Sequence, residues 1–223
     1  FPFGVVTRMD ANACAAGLFG RDLEASFRAD LVDMKRHGLN TYLNFCEVGK
    51  LEPRLRRSEE IGMRLIETSQ CATRFAELPE DAPQWQEFER ARNSPALLAW
   101  YGPDEPQPSR ALPYLADKAA VTERDGEHPY TSAFHLGAMR RLLGGAMEVM
   151  IPDCYSLFPG QDPTDPAPVL SHFVQTRLIR EQTGGRRVWF MTQTFSNRHK
   201  NTFSARYPTP EEIRLDKIGR AHV

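Results

Sequence analysis

No uncharged apolar run in the sequence approaches the roughly 20 residues that a membrane-crossing helix needs, which excludes an integral helical membrane protein. Cysteine is scarce. Cys14, Cys46, Cys71 and Cys154 lie far apart without a CxxC pair, so no disulfide framework is indicated and the redox compartment stays undecided. Neither sign of charge is in excess, since 28 basic residues face 29 acidic ones for a net charge of −1. A nucleic-acid binder working through bulk positive charge is thereby excluded. The first strand-to-helix turn has no GxGxxG, and no GxxxxGK[ST] occurs, which argues against a nucleotide-binding open sheet. The histidines form no HExxH or i, i+4 pair, so neither metal nor cofactor is expected. A serine nucleophile fails for want of a GxSxG elbow.

What is present is an alternation of short apolar runs and amphipathic stretches over 223 residues, 41% of them hydrophobic. Residues 3–7 are β-prone. Asp22 then opens a helix with Leu23, Phe27, Leu31 and Met34 at three- and four-residue spacing, ended by Gly38. Strands are predicted at 40–45, 63–67, 96–101, 129–134, 147–151 and 188–192, with helices at 84–92, 110–124, 136–143 and 169–182. A further short helix passes through Leu55 and Ile61, and Thr209-Pro210-Glu211-Glu212 has the form of a capping box that opens another. Beyond this rhythm there is no internal repeat, and nothing signals a hairpin or a linker.

Seven strands, each followed by a helix, predict a parallel sheet. Right-handed crossovers repeated this often either remain an open doubly wound sheet or close into a (β/α)8 TIM barrel. The fold expected is an α/β TIM barrel, incomplete, forming a single partial domain over residues 1–217 with its last strand and helix missing. Residues 218–223, Ile-Gly-Arg-Ala-His-Val, match one frame of a short-read sequencing adapter and are expected not to be native. A genuine basic tail is the competing reading.

In a barrel, reacting groups come from the C-terminal ends of the strands. Those positions hold Asp10, Asn44, Glu47, Glu67, Gln70, Asp104, Glu105, His135, Asp153, Tyr155 and Gln193. Rings crowd the same rim, among them Tyr42, Trp100, Tyr101, Phe134 and Trp189. Carboxylates beside aromatic platforms suit a sugar: rings stack on its C–H face while carboxylates and amides take its hydroxyls.

The segment Asn93-Ser94-Pro95-Ala96-Leu97-Leu98-Ala99-Trp100-Tyr101-Gly102-Pro103-Asp104-Glu105-Pro106 resembles the strand-four signature of clan A TIM-barrel glycoside hydrolases and hydrolase-like proteins. The likeness extends loosely from Phe3 to Glu212. It implies hydrolysis of an oligosaccharide or glycoside, with Glu105 as general acid/base. It also allows for export, with any leader upstream of Phe1. One departure stands out. The family's nucleophile is a glutamate ending strand seven, and here Met191-Thr192-Gln193 offers an amide, which cannot form a glycosyl ester. Either another carboxylate serves, or the barrel binds sugar without cleaving it.

Cleavage needs one carboxyl protonated near neutral pH and a second that stays ionised. Asp153 is the favoured second carboxylate, followed by Glu67, with Glu47 and Asp10 behind them. Asn44, Tyr155 and Gln193 are expected to orient sugar hydroxyls, Trp189 to stack, and Glu67 and Asp104 to touch substrate. Each residue has a competing reading. Asp104 could hold its own turn or cap the next helix, and Asp153 could be a turn residue after Pro152. Glu67 could pair with Arg64 or Arg74. Trp100 and Trp189 could each fill core.

Overall fold

The computed structural model describes residues 4–8, 20, 22–45, 51–67, 74–135, 137–153, 162, 165, 167–189, 197–199, 202–205, 209 and 211. By contact the chain divides into two units, Phe1–Ser132 and Ala133–Val223.

In the first unit, short strands of two to five residues form β1 (Gly4–Arg8), β2 (Thr41–Phe45), β3 (Arg64–Glu67), β4 (Leu97–Tyr101) and β5 (Tyr130–Thr131), joined in that order into one sheet. Every pairing is parallel, with Val5 beside Tyr42, Tyr42 beside Leu65, and Trp100 beside Tyr130. Parallel neighbours need crossovers, and these are α1 (Leu23–Arg36), α2 (Leu51–Ile61), α3 (Pro83–Ala91) and α4 (Ala111–Arg124). The boundaries follow from side-chain chemistry. Asp22 caps α1 by accepting the Ala25 N–H at 3.0 Å, and Lys35 and Arg36 sit in the last turn, where the carbonyl dipoles favour cations. Gly38, at φ +81°, then lets Leu39 N–H turn back to the Met34 carbonyl.

Pairing of β3 with β4 slips by one residue, because Leu65 faces Leu97 but Ile66 faces Ala99. Leu98 is the extra residue, and the slip sets which side chains beyond it point inward, including Trp100 and Tyr101. The core lies behind these strands. Trp100 is 1% exposed and stacks on Phe88 at 4.1 Å between centroids, within a cluster completed by Phe75 and Trp85. Such a stacked pair contributes about 0.5–1.5 kcal/mol beyond area burial. Trp100 is therefore a core residue.

The second unit has a smaller parallel sheet of β6 (Ala133–Phe134), β7 (Val149–Pro152) and β8 (Arg187–Val188), with α5 (Gly137–Leu143) and α6 (Ala167–Gln182) as crossovers. Parallel strands alternating with helices make the chain a partial α/β barrel, the class expected. Two details differ from the sequence reading. The expected strand at 129–134 is two pieces, because Ser132 makes no ladder pair and its hydroxyl instead donates to the Thr131 carbonyl at 2.7 Å. An antiparallel pair, β9 (Asn197–His199) and β10 (Thr202–Ala205), stands where no hairpin was expected. Its connecting dipeptide Lys200-Asn201 lacks the glycine that marks most two-residue hairpins, and its strands are polar. Among the described residues no helix is long and apolar enough to cross a membrane.

Candidate functional site

Glu105 follows β4 within Gly102-Pro103-Asp104-Glu105-Pro106, and several contacts shape that turn. Gly102 N–H donates to the Thr131 carbonyl at 2.8 Å, extending the sheet by one bond. A side chain at Gly102 would collide with the Tyr130 ring, since a Cβ there would lie 2.9 Å from Cε1. Only glycine admits this approach. Buried Tyr101 donates its hydroxyl to Asp104 Oδ1 at 2.5 Å, bridging the turn from the inside. Pro106 is buried, and Gln107 Nε2 donates to the Glu105 carbonyl at 3.4 Å.

The backbone at Glu105 has φ +43°, making it the one non-glycine with positive φ among the described residues. Two local preferences oppose this: a side chain disfavours positive φ, and the residue before a proline prefers extended backbone. Strain of this kind persists only where the surroundings over-determine it, and it concentrates at functional sites. Glu105 itself is half-buried and Asp104 exposed.

Glu67 ends β3 and is 1% exposed. Its Oε1 accepts from Arg54 Nη2 at 2.8 Å, with Arg54 itself 4% exposed. An arginine partner is one reading of Glu67 from the sequence, with Arg64 and Arg74 as examples; the arginine found is Arg54, while Arg74 pairs with Glu77. Sequence reasoning passed over Arg54, although a signal was there. It lies on the helix face of Leu51, Leu55 and Ser58, where a charge needs a buried partner.

In the second unit, Asp153 immediately follows β7 and is 6% exposed. Its backbone N–H donates to the Phe134 carbonyl at 3.2 Å, which extends the pairing of β6 with β7. Among the described residues its carboxylate Oδ1 is buried without a hydrogen-bond partner. A buried acceptor left unmatched costs free energy, so such an atom invites a polar partner. Trp189 follows β8, half-buried, with its N–H on the Met150 carbonyl at 2.9 Å. His135 is exposed just beyond β6. Asn44 belongs to β2 opposite Thr7. Asp10, Glu47, Gln70, Tyr155 and Gln193 lie outside the described residues.

Within the first unit, the ends of β3, β4 and β5 therefore bring Glu67, the Tyr101–Asp104 pair, Tyr130 and Glu105 to one edge of the sheet. Tyr101 takes part through its hydroxyl, which its reading as a rim aromatic did not anticipate, and Tyr130, which the sequence reading did not single out, lies against Gly102. A separate buried cluster lies at the other end of the same strands, where α4 leads into β5. There Asp125 accepts from Trp100 Nε1 at 2.8 Å, from His128 N–H at 3.1 Å and from Glu127 N–H at 3.0 Å. This end of a βα unit supports stability, not chemistry.

No protein-family model matches the chain, and no curated protein matches its sequence. Solved structures do share its fold. The β-glucuronidase from Ruminococcus gnavus, in complex with D-glucuronic acid, is 13% identical at a TM-score of 0.64, the match covering 100% of this chain and 40% of that one. The β-D-glucuronidase of Dictyoglomus thermophilum is 13% identical at 0.62, covering 100% and 42%. The β-galactosidase of the psychrophilic Marinomonas ef1 is 11% identical at 0.65, covering 100% and 52%. The chain thus spans about half or less of the length of these proteins, and at such identities the likeness is one of fold: a partial glycoside-hydrolase-like barrel.

Proposed function

We propose that this chain carries the barrel of a glycoside hydrolase, acting on an oligosaccharide or glycoside with Glu105 as general acid/base. The observation that carries the reading is the strained, positive-φ backbone of a half-buried glutamate at the end of β4. Asp153 is the proposed second carboxylate, supported by its place at the end of β7 and its buried Oδ1, unmatched among the described residues. In the reaction Glu105 protonates the leaving glycosidic oxygen. Asp153 then either attacks the anomeric carbon or takes a proton from the attacking water, and retention or inversion of product configuration tells these apart. Asn44, Tyr155 and Gln193 are proposed to hold sugar hydroxyls, Trp189 to stack, and Asp104 and Glu67 to contact the sugar or hold the residues that do.

Replacing Glu105 with glutamine keeps the shape of the side chain and removes its proton. Turnover of a glycoside with an ordinary sugar leaving group should fall by ~10²–10⁴, the usual contribution of a general acid. A glycoside with an activated aryl leaving group should lose far less. Unchanged cleavage of the ordinary glycoside by E105Q would overturn the assignment. A second reading, sugar binding without cleavage, is favoured by Gln193, an amide at a position that the resemblance expects to be acidic. It predicts a sugar-induced rise in Tm with no turnover.

A further inference from the structure

We propose that Tyr101 is a positioning residue for Glu105, acting through Asp104: the hydrogen bond between them closes the turn after β4 and holds Glu105 in its positive-φ backbone. The inference rests on the reading of Glu105 as the acid, but its structural half can be tested without it.

Nothing local to Glu105 favours the conformation it adopts. A β-carbon and a following proline both push toward negative φ, so the constraint must come from the residues around it. Upstream, β4 is fixed by Gly102 N–H on the Thr131 carbonyl and by the close seat of Gly102 against Tyr130. Downstream, Pro106 is buried. Between these anchors, the Tyr101 hydroxyl spans the turn to Asp104 Oδ1 at 2.5 Å. Tyr101 is 1% exposed, so its ring cannot swing to follow a relaxing loop, and the carboxylate must come to the hydroxyl. Holding Asp104 there fixes the peptide that enters Glu105. Pro103, with its own φ locked, leaves little slack on the other side. A charge-assisted bond of this length is stronger than a neutral one, which suits it to hold a strained neighbour. The residue beside the acid is thus given a task of its own.

The test uses the full chain and two readouts. Thermal unfolding comes first. Glu105→Gly relieves the strain, so it should raise Tm by about 2 °C in the parent. In a Tyr101→Phe background, where the turn relaxes, that rise should vanish. Asp104→Ala should behave as Tyr101→Phe does, and the two together should be no worse than either alone. Asp104→Asn, which keeps an acceptor for the hydroxyl, should restore most of the rise. A rise of equal size in both backgrounds would overturn the inference, whatever the protein cleaves.

Turnover comes second. Tyr101→Phe should lower kcat about tenfold on an ordinary glycoside at nearly unchanged KM, and much less on an activated aryl glycoside. Equal losses on both substrates would indicate general damage and also count against the inference. A parent that cleaves no glycoside would sink the hydrolase reading and leave the thermal comparison to decide the role of Tyr101.

Discussion

Asp117 and Asp125 are both buried carboxyls, one on α4 and one just past it, and they respond to pH with opposite signs. Burial raises the pKa of Asp117, and its single backbone bond from Ala76 N–H, at 2.9 Å, does not offset this. Burial pushes Asp125 upward too, but hydrogen bonds from Trp100 and His128 outweigh it, and the net shift is downward. With a raised folded pKa, Asp117 contributes most below its unfolded value and loses that contribution as pH rises through the folded one. Asp125 contributes above its unfolded value, near 4, and loses it as pH falls through the lower folded one. Asp117→Asn, which keeps an acceptor for Ala76, should therefore raise stability to urea at pH 7, with the gain shrinking as pH falls through the raised folded pKa and gone below about pH 4. Asp125→Asn should lower stability at pH 7, with the loss narrowing only below about pH 4, as pH falls toward the lowered folded pKa. Identical effects at pH 7 and pH 3 would contradict both assignments. Little of this was legible in the sequence. Trp100 reads equally as core or platform until its indole N–H is seen on Asp125. Likewise the φ of Glu105 opposes what its own side chain and Pro106 dictate, so only tertiary contacts reveal it.

Between elements, the Arg54–Glu67 pair ties the first turns of α2 to the end of β3. Each charge is buried, and removing one takes away the other's ion-pair partner, at a cost of about 3–5 kcal/mol. Arg54→Met should accordingly lower Tm by about 10 °C for a chain of this size. The double variant Arg54→Met, Glu67→Leu should recover much of that loss, since the buried carboxylate that the arginine faces is then removed with it. Additive losses would show that the two side chains do not depend on each other. Periodicity and glycine placed the elements well: α1 ends before Gly38 and α2 before Gly62, both at positive φ, and α3 lies within a residue of its expected span. What periodicity missed is pairing. The bulge at Leu98, the break at Ser132 and the β9–β10 hairpin are decided by which strand lies alongside, and no single strand records its neighbour.

At the scale of the whole molecule, the alternation that made a parallel α/β barrel legible also fixes what its outer helices must be: apolar on the sheet side, polar outside. Among the described residues, Leu112 and Leu142 are exposed singly, but one helix carries an exposed apolar stripe. Leu170, Val174 and Leu178, spaced by four along α6, are 48%, 60% and 46% exposed. The chain also has a net charge of −1 and a pI near 6.7, so near neutral pH little repulsion separates one molecule from another. The two features together predict self-association that peaks near the pI and is set by this stripe. Val174→Lys places a charge in its centre and replaces a β-branched residue with a better helix former. The change should alter folding stability by no more than about 0.5 kcal/mol, as expected at an exposed site. Light scattering at pH 6.7 should fall clearly below that of the parent, and the difference should narrow at pH 9, where net charge already keeps parent molecules apart. A large drop in Tm would instead mean that Val174 is packed in the folded protein, and scattering unchanged at pH 6.7 would mean that association runs through another surface.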